Sequence, residues 1–491
     1  MSFLRLVPMG SWSTTFNRAR NTCASSLLRE VGPRTSINFK KYMKLEKLYS
    51  REYSVQYTQA SLLGLGPKES SHIPFAVFGQ TYLPEQGNEA CYMDMSEWNK
   101  FIIAIKDNCK TKEQREGFIS NFHKYGKKYV ELSKELGEKE CDNNKEITSS
   151  YQSYLEILNT YTAYIWLGHF LNKEVAKDGQ EILKGKEGGE SLYRPNKKTG
   201  IVELQADLHK IRNQNNKKLE ESEIEKLLEK YGWMSCLDIM NDPWGESDLL
   251  EMYNSLSTPE QVVTINEIAK QLNLSTEEKE FFGVVREFAF INDMRDVYRR
   301  KGICNILPFF EKIGKTIGVE RKDLAYFTNE EIIKALETNE VPDKEEIEKR
   351  KQGFQIYWED KDIVVTSDVD EMKMFIEKNI KDSEESEELS GVVASIGVAE
   401  GKVVIVRGVA DLDKVKEGDV LVAITTHPNF VPAMQRASAI VTDEGGITSH
   451  AAIVSREMKK PCIVNTKNAT KVLQDGQTIS VDANKGILII K

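Results

Sequence analysis

The stretch that most constrains this 491-residue chain is Thr442-Asp443-Glu444-Gly445-Gly446-Ile447-Thr448-Ser449-His450, entered from the apolar tripeptide Ala439-Ile440-Val441. A short apolar run of that kind reads as the end of a buried strand. Two adjacent glycines suit a tight backbone turn and leave room for a ligand to approach the main chain. Thr448 or Ser449 is then placed to cap a helix running through Ala451, Ala452, Ile453, Val454 and Arg456. His450 thus falls in the first turn of a helix, at the mouth of a glycine loop. Free N–H groups and the positive helix end disfavour imidazolium there, so the ring stays neutral and nucleophilic. The same N–H groups would stabilise a dianionic phosphoryl group once it is attached. Arg456, nearly two turns on, would pair with a phosphate if the fold brings it back to the loop. Taken alone, a strand–glycine–helix turn is common to many nucleotide folds, and a histidine beside one is more often structural.

Before that stretch the chain is patterned for helices. Apolar residues recur at three- and four-residue spacing over 97–107, 112–136, 149–170, 202–231 and 258–272. Ser275-Thr276-Glu277-Glu278 opens another helix, with Ser275 as cap and Glu278 reaching back to it. It leads into a long helix over 281–301 that carries Arg286, Arg295, Arg299 and Arg300. Residues 39–380 therefore read as a mainly α-helical region. Trp98, Tyr164, Trp166, Tyr231, Trp233 and Trp244 fall at helical spacing, which favours core over an acceptor pocket. Arg286, Arg295 and Arg299 would suit an anionic phosphate, but helix arginines more commonly form a solvated or ion-paired face.

At 381–390 the composition shifts to Asp382-Ser383-Glu384-Glu385-Ser386-Glu387-Glu388, an acidic linker. Beyond Ser390 short strands are expected at 402–407, 420–424, 439–442, 462–465, 478–482 and 487–490, separated by glycine turns. Helices near 429–437 and 449–459 complete a compact α/β domain over 391–491.

The bulk numbers exclude some classes. A net charge of −9 argues against a general nucleic-acid binder. No apolar run reaches the roughly eighteen residues of a membrane helix, so no membrane span is expected. Cys23, Cys91, Cys109, Cys141, Cys236, Cys304 and Cys462 form no C-x-x-C pair and have no histidine at zinc-ligand spacing. They suggest free thiols in a reducing, cytoplasmic setting, with no metal site. Residues 1–38 carry Arg5, Arg18, Arg20, Arg29 and Arg34 against one acid, Glu30. That segment reads as a disordered extension or an organelle-targeting sequence.

Gly445-Gly446-x-Thr448-x-His450-Ala451-Ala452-Ile453-Val454-Ser455-Arg456 resembles the phosphohistidine signature of the phosphoenolpyruvate-utilising enzymes. That family includes phosphoenolpyruvate synthase, pyruvate phosphate dikinase and the rifampicin phosphotransferase type of antibiotic kinase. The likeness extends upstream through Gly391–Gly397, Gly401-Lys402-Val403 and Thr425-Thr426-His427-Pro428. Downstream it takes in Lys460-Pro461-Cys462-Ile463-Val464, Asp475-Gly476-Gln477 and Val481-Asp482. Less specifically, Leu48-Tyr49-Ser50-Arg51-Glu52-Tyr53-Ser54 and Arg286-Glu287-Phe288-Ala289-Phe290…Arg295-Asp296 resemble the family's helical region. The resemblance implies a three-layer β/β/α swivelling histidine domain at 391–491 and an acceptor-binding or docking region at 39–380. It implies His450 as the phosphocarrier, with Gly445, Gly446, Thr448, Ser449 and Arg456 supporting the phosphate. In plant-type dikinases the threonine at the position of Thr448 is a regulatory phosphorylation site.

No G-x-x-x-x-G-K-[ST] loop is present. Nor do the 491 residues leave room for the family's ATP-grasp domain or its C-terminal phosphoenolpyruvate barrel. The expectation is a split phosphotransferase. A separate ATP-grasp nucleotide-binding protein would load His450 from ATP with Mg2+, or phosphoenolpyruvate would be the donor, and a small-molecule acceptor would sit in the helical region. The alternative is a non-catalytic scaffold or regulatory module that keeps the swivelling-domain fold.

Overall fold

A computed structural model describes residues 45–66, 77, 79–184, 186, 189–195, 197, 200–215, 219–254, 256, 265–359, 362–380 and 389–491. The extension expected at 1–38, and 381–388 of the acidic linker, lie outside these residues.

The chain enters on a strand, β1 (Leu45–Arg51), which leads into helix α1 (Val55–Leu65), capped by Ser54. A hairpin follows, β2 (Gln80–Glu85) and β3 (Asn88–Asp94). Its turn residues Gln86 and Gly87 have φ of 51° and 82°, the left-handed pair that matches strand twist. Then come α2 (Met95–Asp107), α3 (Lys112–Glu138), α4 (Asn144–Ile182), α5 (Gly200–Asn215), α6 (Glu221–Tyr231), α7 (Glu246–Asn254) and α8 (Ile265–Gln271). The longest helix, α9 (Thr276–Ile317), opens on the expected Ser275/Glu278 capping box. It is followed by α10 (Arg321–Leu324), α11 (Asn329–Thr338), α12 (Lys344–Gln352), β4 (Gln355–Glu359), β5 (Asp362–Thr366) and α13 (Val369–Asn379).

Helices α3, α4 and α9 pack along one another and supply most of the core. Aromatic rings hold that seam: Tyr129 stacks on Tyr161 with centroids 5.2 Å apart, and both are fully buried. Trp98, Tyr164, Trp166, Tyr231 and Trp244 are buried core residues, and Trp233 is half-buried.

The region also holds a five-stranded antiparallel sheet in the order β1-β3-β2-β4-β5, which the helical pattern did not reveal. The reason lies in the strands themselves. Leu45-Glu46-Lys47-Leu48-Tyr49-Ser50-Arg51 lacks apolar–polar alternation: Glu46 and Lys47 are consecutive exposed residues, while Ser50 is buried and its N–H donates to Glu444.

The C-terminal domain comprises β6 (Val392–Ser395), β7 (Val398–Val406), β8 (Val420–Ala423), α14 (Val431–Arg436), β9 (Ala439–Thr442), α15 (His450–Glu457), β10 (Cys462–Val464), α16 (Ala469–Val472), β11 (Thr478–Asp482) and β12 (Ile487–Ile490). They form a seven-stranded sheet, β12-β11-β7-β8-β9-β10-β6, parallel from β7 to β10 and antiparallel at both ends. The sheet curls until its ends meet: Ser390 bridges Ile487, and Leu488 N–H donates to Leu389 O at 2.9 Å.

Both faces are buried, as a parallel sheet requires. Val403, Ile405, Val420, Val422, Val441 and Ile463 point into the core enclosed by the curl. Their neighbours Val406, Leu421, Ala423, Ile440, Cys462 and Val464 point to the other side, against α14 and α15. This is the layering expected for 391–491. The outer core does not stop at residue 391, however. Leu204, Leu208, Leu227, Tyr231, Leu249 and Met252 from α5–α7 belong to it, and Glu251 of α7 forms an ion pair with Arg436 of α14.

Candidate functional site

β9 ends at Thr442 and the chain turns through Gly445, whose φ of 111° is a conformation that side-chain-bearing residues rarely adopt. A Cβ there would also stand 3.0 Å from Ser449 Oγ. Gly446 has open space around it. Ser449, rather than Thr448, caps α15, accepting from Ala452 N–H at 3.3 Å. Thr448 is buried and its hydroxyl accepts from Asn172 Nδ2 of α4 at 3.0 Å, a contact between the two regions.

Arg456 does return to the loop. Its Nε donates to Ala452 O at 2.8 Å and its Nη2 to Ile447 O, and the side chain is buried. The guanidinium therefore splints the glycine loop against its own helix.

His450 is the first residue of α15. Its Nδ1 lies 2.9 Å from Thr426 Oγ1, and its Nε2 is buried with no hydrogen-bond partner. Burial pushes the imidazole pKa down to about 3, helped by Arg300 and Arg51 and opposed by Asp296. The ring is neutral, as the loop position suggested. The leading physical cause is burial between the two regions, with Arg300 of α9 next, rather than the helix end alone.

The facing wall comes from β1 and α9. Glu444 accepts from Ser50 N–H at 2.8 Å and pairs with Lys47 at 3.0 Å and Arg51 at 3.3 Å. Asn88 Nδ2 adds a hydrogen bond to Arg407 O at 3.0 Å. Among the arginines of α9, Arg299 is buried with its guanidinium 3.3 Å from the Tyr57 ring centroid and donates to Leu237 O. Arg286 donates weakly to Pro195 O at 3.5 Å, and Arg295 pairs with Asp296 at 3.7 Å. The cation that acts most strongly on His450 is Arg300, fully buried and donating to Met234 O at 2.6 Å.

Sequence reasoning did not single out Thr426, Glu444, Asn172, Asp296, Arg51 or Arg300 as site residues. Thr426 and Arg51 stood inside segments with a family likeness, but only the fold shows that both face one imidazole. Among the described residues no group of three or more His, Cys, Asp or Glu side chains is placed to hold a metal ion. No helix among them is long and apolar enough to cross a membrane.

Residues 415–486 match the mobile domain of PEP-utilising enzymes. The C-terminal domain belongs to that family. The phosphoenolpyruvate synthase of Pyrococcus furiosus is 44% identical over 171 residues, covering 31% of this chain and 21% of that protein. Probable phosphoenolpyruvate synthases of Methanothermobacter thermautotrophicus and Archaeoglobus fulgidus are 54% identical over 100 residues and 42% over 192. Those matches cover 20% and 36% of this chain, and 15% and 25% of the two relatives. The chain thus spans a quarter or less of these relatives' length. An NMR structure of Enzyme I aligns over 56% of this chain and 82% of its own, with a TM-score of 0.16 and 16% identity, too loose a likeness to argue from.

Proposed function

We propose that the chain is a phosphotransferase component in which His450 carries a phosphoryl group from a nucleotide-binding partner to a small-molecule acceptor held by the helical region. The observation that carries this reading is the imidazole itself. Nδ1 lies 2.9 Å from Thr426 Oγ1; in the tautomer in which Nδ1 donates to that hydroxyl, Nε2 keeps its lone pair and belongs to a ring that stays neutral. A neutral imidazole with one nitrogen fixed is the form that attacks phosphorus.

In the loading step the Nε2–P bond forms in line as the donor's P–O bond breaks, and the oxygen leaves with the electron pair. The acceptor step reverses the sense: an acceptor oxygen attacks phosphorus and Nε2 is the leaving group. Two easier transfers replace one hard one. In the docked arrangement His450 faces β1 and α9, so Arg51 and Arg300 offset the charge of a dianion. We read this arrangement as the acceptor-side position. Loading from ATP with Mg2+ by a separate ATP-grasp protein, or from phosphoenolpyruvate, would take place with the histidine domain released. Magnesium would arrive with the nucleotide and neutralise the phosphates being transferred.

One observation favours the scaffold alternative. Gly445, Thr448, Ser449 and Arg456 each have a structural task in loop, cap or docking contact, so their presence does not by itself require a live carrier. The test is mass spectrometry of the protein isolated from its own cells under alkaline conditions. An acid-labile phosphoryl group on His450, absent from His450→Asn, supports the carrier. An unmodified His450, with wild type and variant behaving alike in those cells, supports the scaffold.

A further inference from the structure

Cys236 directly follows the 3-10 turn Gly232–Ser235, and the backbone on both sides of it is tied to α9. Arg300 donates to Met234 O at 2.6 Å, and Arg299 donates to Leu237 O at 2.5 Å. Cys304 stands four residues after Arg300, one turn along on the same face of the helix. The two tethers thus bring Cys236 against Cys304, although the pair is far apart in the chain. The two thiols meet and hydrogen-bond each other. Both are free cysteines; Cys236 is buried and Cys304 is half-buried, so solvent reaches the pair from the Cys304 side.

The pair is chemically asymmetric. The hydrogen bond from Cys236 lowers the pKa of the Cys304 thiol, and the same bond, together with burial, raises that of Cys236. Cys304 therefore gives up a proton more readily, and Cys236 keeps its own, as an attacking and a resolving thiol require. Three other buried cysteines are less reactive by the same reasoning. Burial pushes Cys91 and Cys462 up to about 12 and Cys109 up to about 11.

We propose that Cys236 and Cys304 form an oxidation site, a thiol pair that a peroxide converts to a disulfide joining the Gly232–Ser235 turn to α9. In the first step the Cys304 thiolate forms an S–O bond with one peroxide oxygen as the O–O bond breaks. The hydroxide that leaves takes up the proton released by Cys304, giving water and a sulfenic acid. In the second step Cys236 sulfur attacks Cys304 sulfur. The S–S bond forms, the S–O bond breaks, and the departing hydroxide takes the Cys236 proton as a second water. The two thiols are oxidised and the peroxide is reduced, with nothing left over. This site stands whether or not His450 carries a phosphoryl group. Its position still bears on docking, because the same turn touches Pro428–Phe430 of the C-terminal domain and Arg300 bears on His450. The disulfide would lock the part of the helical region against which the histidine domain rests.

The experiment treats reduced full-length protein, freed of excess reductant, with one equivalent of hydrogen peroxide. Remaining thiols are alkylated and the protein is digested without reduction for mass spectrometry. A peptide pair joined through Cys236 and Cys304 is expected as the main product and should separate on adding dithiothreitol, with Cys91, Cys109 and Cys462 recovered alkylated. Cys141, also half-buried, is the internal comparison and should be oxidised less. In Cys236→Ser the reaction should stop at a Cys304 sulfenic acid that dimedone traps. Exchange of the Cys236 amide, which donates to Trp233 O, should slow about tenfold in the linked protein. Oxidation of wild type that falls first on Cys141, or that leaves Cys304 oxidised with Cys236 still alkylated, overturns the inference. Linkage with unchanged exchange at Cys236 overturns the locking. The wild-type peptide map decides the site itself without relying on any variant.

Discussion

Acid should release the histidine domain from the helical region, and the size of the effect follows from the two buried imidazoles. His450 is held at about 3 and His427 well below its ordinary value, first by burial and then by Arg300 and Arg51 across the interface. Release rehydrates both rings and removes those arginines, returning each to roughly 6.5. The sign follows directly. Each depressed histidine favours docking fully above about pH 6.5, and its contribution is lost as pH falls from there towards the docked value. Between about pH 7.5 and 5.5 each ring costs the docked state about 1.4 kcal/mol, a tenfold change in the equilibrium, and the two together about a hundredfold. That magnitude holds wherever the docked value lies well below pH 5.5.

Asp293 is also pushed up, to about 7, first by burial and then by Asp296, and His169 is lowered first by burial and then by Arg295 and Lys173. Whatever these two groups add to the pH dependence is common to wild type and His450→Asn, so the difference between the two slopes belongs to His450. The reporter is the Ser50 amide, which donates across the interface to Glu444. Its hydrogen-exchange protection, corrected for intrinsic rate, should fall about a hundredfold over that range in wild type and about tenfold in His450→Asn. Equal slopes in the two proteins would refute the reasoning, because His450 would then titrate alike in both states.

Three substitutions test the other structural claims. Thr426→Val removes the partner of His450 Nδ1 and should slow phosphorylation of His450 by phosphoramidate about tenfold, with thermal stability nearly unchanged. An unaltered rate would mean the threonine does not fix the tautomer. Arg456→Met leaves Ile447 O without its guanidinium donor and should cost about 2 kcal/mol in urea unfolding of the domain; a loss below about 0.5 kcal/mol would show that the splint is dispensable. Gly302→Ala would set a Cβ 2.0 Å from the buried Tyr129 ring, so a destabilisation of about 1–3 kcal/mol is expected in calorimetry or urea titration.

The C-terminal domain was largely legible because its signals are local. The six expected strands are present as Val398–Val406, Val420–Ala423, Ala439–Thr442, Cys462–Val464, Thr478–Asp482 and Ile487–Ile490, since each holds a short apolar run closed by a turn, whereas β6 (Val392–Ser395) was not expected. Helix existence was also readable, but extent was not. The segment expected at 149–170 is part of a helix from Asn144 to Ile182, and that expected at 281–301 continues to Ile317. Gly302 and Pro308 look like stops in sequence. Yet Gly302 is where α9 approaches Tyr129, and α9 continues through Pro308. The sheet built on β1 was missed because β1 and β3 mix polar and apolar residues without period, Ser50 and Arg51 of β1 and Asn88 of β3 being used at the interface.

The candidate site divides along the same line. The proposed carrier histidine and its loop are consecutive residues, so a pattern reveals them. The field that keeps His450 neutral is not consecutive: Arg51 and Arg300 lie about 400 and 150 positions away in the chain and act only when the two regions meet. Thr448 shows the consequence most directly. Read as sequence it is a cap or a modification site. In the fold, Ser449 takes the cap, and the Thr448 hydroxyl is buried against Asn172. A modifying enzyme would reach that hydroxyl only after release, and a phosphate placed there would lose the Asn172 contact and meet the buried face of α4 on return. The same docking that keeps the His450 imidazole neutral therefore shields the residue two positions before it, so neutrality of the imidazole and protection of Thr448 should rise and fall together.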